Sequence, residues 1–365
     1  MKVDAYTHFA CPAFIDHLEE ASGHPMVFRG LFNAIPELCD VEARIRFMDL
    51  QGIDMHCLVP LPWLECEPEL HADVDKAVQA CRLANDEMAK VVALYPERFV
   101  GVALIPTTTE QARAITACLK HCIGHLAMVE EATRALVDLG LEGVAVFVGP
   151  TAKPPDDPSF EGLYRVCHER GAPIWLHPNR PQVYADYDAY KAKGSQYQIW
   201  NTLGWIYDTS VAMVHIALAG VFQRYPGIKF VSHHHGGMIP FFTERFHTQR
   251  QNFNEGDEDN LLEDLMLFYC DTATFGESPQ NIQQAIDFFG PERVLFGTDT
   301  PMDMGEAGYF TRNTKNSIEA LRISGEEKEG IYHRNVTRML WGDSPPSARL
   351  ARQKTSTPAS PAAAL

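Results

Sequence analysis

The sequence predicts an α/β protein built as a closed (β/α)8 TIM barrel with a metal site at the carboxyl ends of its strands. Three observations carry this prediction. Short β-rich runs recur eight times along the 365 residues, stretches with helical spacing separate them, and His or Asp stands at the end of four of the runs.

The eight runs are Val3 to His8, Met55 to Pro60, Phe99 to Pro106, Gly143 to Gly149, Pro173 to His177, Lys229 to His234, Leu267 to Ala273 and Arg293 to Asp299. Val144 to Val148 is apolar on both faces, as expected where helices cover one side of a strand and the barrel interior fills the other. Among the intervening stretches, Val129, Ala132, Leu136 and Leu139 have helical spacing before a C-capping Gly140, and Val211, Val214, Leu218 and Phe222 have it before Tyr225-Pro226. Three segments fall outside the repeat. Cys11 to Asp40 reads as a long loop over the barrel mouth, and Pro178 to Gly204, with Tyr184, Tyr187, Tyr190, Tyr197 and Trp200, reads as a second. Ser344 to Leu365, rich in Pro, Ser, Ala and Thr, has no face to bury and is expected to be mobile or to lie against a second subunit. Residues 1–343 are then one barrel domain.

Composition narrows the function. The chain is 45% apolar and 22% charged, with a net charge of −17, which suits a globular protein and argues against nucleic acid or an anionic membrane as partner. A small anionic substrate remains compatible, since one or two local arginines suffice to hold a carboxylate. No apolar run approaches the roughly 20 residues that span a bilayer. The start of the chain lacks the pattern of a signal peptide, and nine scattered cysteines read as reduced thiols, so a cytoplasmic location is expected.

His8 closes the first strand, His177 the fifth, the run His233-His234-His235 the sixth, and Asp299 the eighth. In a parallel barrel these ends converge on one mouth, so residues distant in sequence become neighbours. Imidazole and carboxylate suit one divalent ion, Zn²⁺ first and Mn²⁺ second, and His8, His177 and Asp299 as ligands leave a position open for water or substrate. Strand alternation puts His233 and His235 on one face and His234 on the other, without saying which looks inward. Gly236 and Gly237 either bring backbone close to the pocket or form a plain turn.

The segments Val3-Asp4-Ala5-Tyr6-Thr7-His8, Trp175-Leu176-His177-Pro178, Ser232 to Pro240 (SHHHGGMIP) and Phe296-Gly297-Thr298-Asp299-Thr300-Pro301 resemble the amidohydrolase-2 branch of the amidohydrolase superfamily, in the same order, over about residues 1 to 341. That branch includes aminocarboxymuconate-semialdehyde decarboxylase and non-oxidative aromatic acid decarboxylases. The resemblance implies that His234, six residues before Pro240, is the catalytic histidine, and that its two neighbours are structural. It also implies a homodimer or higher homo-oligomer.

Many members carry Asp-x-His-x-His in strand one, with both histidines on the metal, whereas this chain has Tyr6 in the first of those two places. Tyr6 is then a weak phenolate ligand, a partner of metal-bound water or substrate, or an aromatic wall. The second reading is favoured, because a neutral phenol with a pKa near 10 is a poor ligand. Three protein ligands would leave room for an acid that chelates through two oxygens. Arg180, following His177, is a candidate for pairing a substrate carboxylate, with Arg44, before an apparent helix from Ile45 to Gln51, and Arg46, at its start, as weaker candidates. Cys118, His121, Cys122 and His125 share a helical face and read as structural in preference to a second zinc or redox site.

The resulting expectation is a metal-dependent non-oxidative decarboxylase of a small aromatic or unsaturated carboxylic acid, with Asp299 or His234 moving a proton. Hydrolysis or hydration by the same groups is the alternative, and a non-catalytic metal- or metabolite-binding barrel is the third reading.

Overall fold

The computed structural model describes residues 1–26, 29–62, 64, 67–107, 116–149, 152–179, 199–249, 260–273, 278–303 and 307–342. The tail and Arg180 lie outside the described residues, as does most of the second expected loop. Eight strands form one sheet in the order of the chain: β1 (Val3–His8), β2 (Met55–Val59), β3 (Phe99–Leu104), β4 (Gly143–Val148), β5 (Ile174–Pro178), β6 (Phe230–Ser232), β7 (Tyr269–Asp271) and β8 (Val294–Leu295). Every neighbouring pair is parallel. Main-chain bonds from Ala5 N to Phe296 O (2.7 Å), Asp299 N to Tyr6 O (3.0 Å) and His8 N to Thr300 O (2.8 Å) bring the first strand against the segment that follows the last. The sheet thereby closes into the (β/α)8 barrel.

The helices are α1 (Pro12–Ser22), α2 (Arg29–Ala34), α3 (Val41–Gln51), α4 (Pro68–His71), α5 (Val74–Leu94), α6 (Thr116–Val137), α7 (Glu161–Arg170), α8 (Trp205–Leu218), α9 (Val221–Arg224), α10 (Thr243–Gln249), α11 (Leu261–Leu265), α12 (Pro279–Phe289), α13 (Tyr309–Ala320), α14 (Gly325–Glu329) and α15 (Asn335–Trp341). Local chemistry sets their ends. Asp40 and Asp73 cap α3 and α5 by accepting from Ala43 N and Lys76 N, and Ser324 and Glu327 form a capping box at α14. Every residue of β1 to β6 is buried, as both-sided coverage requires. Inside the barrel, the buried Trp175 of β5 reaches across to donate from Nε1 to Ala5 O of β1 at 3.0 Å. None of the helices found among the described residues is long and apolar enough to cross a membrane.

Three expectations need correction. Cys11 to Asp40 is largely helical, since α1, α2 and a 3-10 turn at Pro36–Leu38 occupy it. Pro12 opens α1, Gly23 at φ 75° closes it, and Phe14, Ile15 and Leu18 bury one face. Arg44 lies inside α3, not before it. β6 and β8 are shorter than their sequence runs. After Ser232, His234 and His235 adopt φ of 55° and 56°, which no ladder accommodates. After Leu295, the N–H groups of Gly297 and Thr298 bond to Thr272 Oγ1 and Asp4 Oδ1 in place of a neighbouring strand.

Candidate metal centre

The strand ends bring His8, His177, His233, His234 and Asp299 together in a buried cluster at one mouth of the barrel. His8 ends β1, with Nδ1 3.3 Å from Val59 O and Nε2 2.9 Å from Asp299 Oδ1. Asp299 follows β8 at φ 63°, a conformation rare for a residue with a Cβ, and its N–H bonds to Tyr6 O. That main-chain anchor aims its carboxylate across the mouth. His233, still extended, places Nδ1 2.5 Å from Asp271 Oδ2 and Nε2 3.5 Å from Asp299 Oδ1. His234 lies to the other side, with Nε2 4.0 Å from Asp299 Oδ2. His177 offers a buried Nδ1 that has no hydrogen-bond partner, with its ring centroid 4.9 Å from that of His8 and 5.6 Å from that of His233.

The donor set fits a cation. One ligand atom each from His8, His177 and His233 lies within 4.8 Å of the others, and the same holds for His233, His234 and Asp299. Val59 O and Asp271 Oδ2 can only accept, so the Nδ1 atoms of His8 and His233 carry protons. In neutral rings their Nε2 atoms are then lone pairs facing the same carboxylate oxygen. Acceptor against acceptor is stable only with protons or a cation between them, and a divalent ion satisfies all of them at once.

Electrostatics follow from burial and proximity. Burial and the neighbouring His8 and His233 hold His177 well below the usual imidazole range, and burial with the His233 charge does the same to His234. Burial opposes charge on His233 too, but Asp271 and Asp299 outweigh it and lift that ring to about 9. Against the effect of burial, the neighbouring His233 and His8 rings hold Asp299 well below the usual carboxylate range. Asp4, two residues before Tyr6, is pushed up by burial to about 8 although Thr298 and the Tyr6 N–H donate to it.

The structure brings together His8, His177, His234 and Asp299, and it alters the account of the three histidines. His233 and His234 both face the cluster, with ring centroids 3.7 Å apart, because the left-handed turn at His234 breaks the alternation of a regular strand. Tyr6 is wholly buried. Its hydroxyl donates to Leu176 O at 2.8 Å, and its ring stacks on His233 with centroids 3.8 Å apart and planes 10° from parallel. Arg44 is a correction: its guanidinium points inward to Glu37 O, Thr7 Oγ1, His56 Nδ1 and His8 O, which locks the end of β1 and leaves nothing for a substrate. Arg46 is exposed. Gly236 and Gly237 have positive φ, and Gly237 packs on α8, where a Cβ would meet Ile206 O at 2.7 Å. The side chains of Cys118, His121 and Cys122 lie outside the described residues, and His125 bonds to Ser159 O. Two members of the cluster were not assigned to it from the sequence: His233, which was read as structural, and Asp271. Asp271 accepts His233 Nδ1, His234 N and Ala273 N, and its position at the end of β7 was the available signal.

Fold and cluster together define a (β/α)8 barrel whose mouth carries a buried His/Asp group that could hold a metal ion. A family model described as amidohydrolase matches residues 3–340, and the chain belongs to that family. Among its relatives, 2-amino-3-carboxymuconate-6-semialdehyde decarboxylase of Dictyostelium discoideum is 25% identical over 300 residues, covering 80% of this chain and 75% of the relative. Gamma-resorcylate decarboxylase of Rhodococcus jostii (strain RHA1) is 27% identical over 310 residues, covering 83% and 88%. A crystal structure of dihydroxybenzoic acid decarboxylase from Polaromonas sp. JS666, with bound manganese and the inhibitor 2-nitroresorcinol, superposes with a TM-score of 0.71 at 21% identity, covering 94% of this chain and 98% of that one.

Proposed function

We propose that this protein is a metal-dependent carboxy-lyase that removes carbon dioxide, without oxidation, from a small aromatic or unsaturated carboxylic acid. The observation that carries the proposal is the buried cluster of His8, His177 and Asp299 with His234 beside it, in a chain whose relatives include decarboxylases of carboxymuconate and phenolic acids. His8, His177 and Asp299 would hold the ion. Mixed imidazole and carboxylate donors favour zinc; the manganese in the Polaromonas relative makes that metal the other one to assay. When bound, the ion supplies Lewis-acid polarisation of the substrate's oxygens and offsets the charge that builds up as the C–C bond breaks.

The chain's own groups handle the proton. His8 and His233 stabilise the ionised form of Asp299, which makes it a poor donor, whereas His234 is neutral and sits at the edge of the cluster. His234 therefore takes up the proton of the substrate's acid group and delivers it to the carbon that bears the carboxylate, and the electron pair of the broken C–C bond returns to the conjugated system as carbon dioxide leaves. Trp205, stacked at 6.3 Å from His234, and Phe147, at 5.7 Å from His177, provide apolar walls that limit water beside these rings.

The test is a metal assay followed by a panel of hydroxybenzoic, phthalic and muconic-type acids. Gas release supports decarboxylation. Incorporation of labelled water without gas supports the hydrolase or hydratase reading, and absence of turnover at full metal loading supports a binding protein. A homodimer in the cytoplasm belongs to the same proposal, and light scattering should give twice the 40.9 kDa chain mass.

A further inference from the structure

We infer that His233 is a metal ligand of this chain and takes over the coordination that strand one gives up by carrying Tyr6. The inference rests on the reading of the cluster as a metal centre and adds a residue to it.

Tyr6 is removed from the ligand set by its own bonds. Its hydroxyl proton is committed to Leu176 O at 2.8 Å, on β5, and the ring has no exposed surface through which to turn. The phenol serves instead as a platform, because His233 lies flat on it at a centroid distance of 3.8 Å. On its far edge His233 is fixed by Asp271, whose Oδ2 is 2.5 Å from Nδ1. A histidine with its ring stacked and its Nδ1–H held by a carboxylate presents Nε2 in one direction only, which is how metal-bound histidines are usually oriented. That Nε2 is buried and has no hydrogen-bond partner.

Distances decide which atoms can share an ion. Four ligands at zinc–nitrogen bond lengths of about 2.0–2.1 Å stand about 3.3 Å from one another in a tetrahedron. His8 Nε2 to Asp299 Oδ1 is 2.9 Å and His233 Nε2 to the same oxygen is 3.5 Å, and the ligand atoms of His8, His177 and His233 are mutually within 4.8 Å. His234 approaches the other oxygen of that carboxylate, with Nε2 4.0 Å from Oδ2, wider than the spacing of two ligands on one zinc ion. The two adjacent histidines thus separate into a ligand, His233, and a group that faces substrate, His234.

The test uses the full chain loaded with zinc, with imidazole ligands counted by X-ray absorption and affinity measured against a chromophoric chelator. The wild type should show three imidazoles. His233→Ala should show two and bind zinc at least about 100-fold more weakly, and Asp271→Asn should weaken binding about 10- to 100-fold. His234→Ala should keep three. Two imidazoles in the wild type, a count reduced by His234→Ala, or His233→Ala with unchanged count and affinity would each overturn the inference. The wild-type count needs no variant, so a failure of His233→Ala to fold leaves the inference testable. His8→Ala and His177→Ala separate the two readings. If they lose zinc while His233→Ala does not, only the role of His233 fails; if they also keep it, the metal centre itself is wrong.

Discussion

At the scale of single residues, the hydroxyl of Tyr6 and the ring of His234 can both be removed with the metal expected to stay, at a cost in stability for the first and in activity for the second. Tyr6→Phe removes only the donor to Leu176 O and leaves that buried carbonyl without its partner, a cost of about 1–3 kcal/mol in stability with metal content unchanged. Loss of the metal in that variant would mean that the phenol coordinates after all. His234→Ala should keep the metal while carbon dioxide release falls by about 100-fold or more, the scale of a lost proton donor. Activity within a few-fold of wild type would remove His234 from the reaction. His56 shows how burial sets pH dependence. It is fully buried with Arg44 donating to Nδ1 at 3.2 Å, and burial with the Arg44 and Arg98 charges holds its pKa well below 6.5. Above pH 6.5 the ring is neutral whether the chain is folded or not. Below it the unfolded chain takes up a proton that the folded one refuses, so stability declines as pH falls, by up to about 1.4 kcal/mol per pH unit for this one group. Thermal melts between pH 7.5 and 5.5 should therefore show a shallower loss in His56→Asn than in the wild type, and identical slopes would contradict this.

At the scale of elements, legibility depended on whether the ends were set by local chemistry or by distant partners. The eight strands were readable because each is a short β-rich run separated from the next by a helical stretch, and α1 would have been readable from Pro12, Gly23 and the spacing of Phe14, Ile15 and Leu18. The ends of β6 and β8 were not, because they depend on Asp271, Thr272 and Asp4, which arrive from other strands. The turn after β6 was legible only as a Gly pair. Alternation assigned His233 and His234 to opposite faces, and the backbone at φ 55° puts both rings at the cluster. The tight contact at Gly237 gives this turn a test. With φ 63° and a prospective Cβ 2.5 Å from Ser210 Oγ and 2.7 Å from Ile206 O, Gly237→Ala should cost about 2 kcal/mol or more and shift the histidine turn against α8. An unchanged denaturation midpoint would show that the turn is not held by that contact.

At the scale of the whole molecule, closure of the barrel is what makes a site of residues spread from position 8 to position 299. His8 and Asp299 meet because β1 hydrogen-bonds to the segment after β8, and His177 and His233 join them from β5 and its neighbour β6. The His and Asp at strand ends announced such a mouth from the sequence alone; the carboxylate of Asp271 and the platform under His233 became visible only once the strands were side by side. The most direct measurement of the central claim is metal content and carbon dioxide release on the same samples of wild type and His177→Ala. The account predicts about one divalent ion per chain with gas evolved in the wild type, and both lost together in the variant. Full decarboxylase activity in a metal-free His177→Ala protein would contradict it.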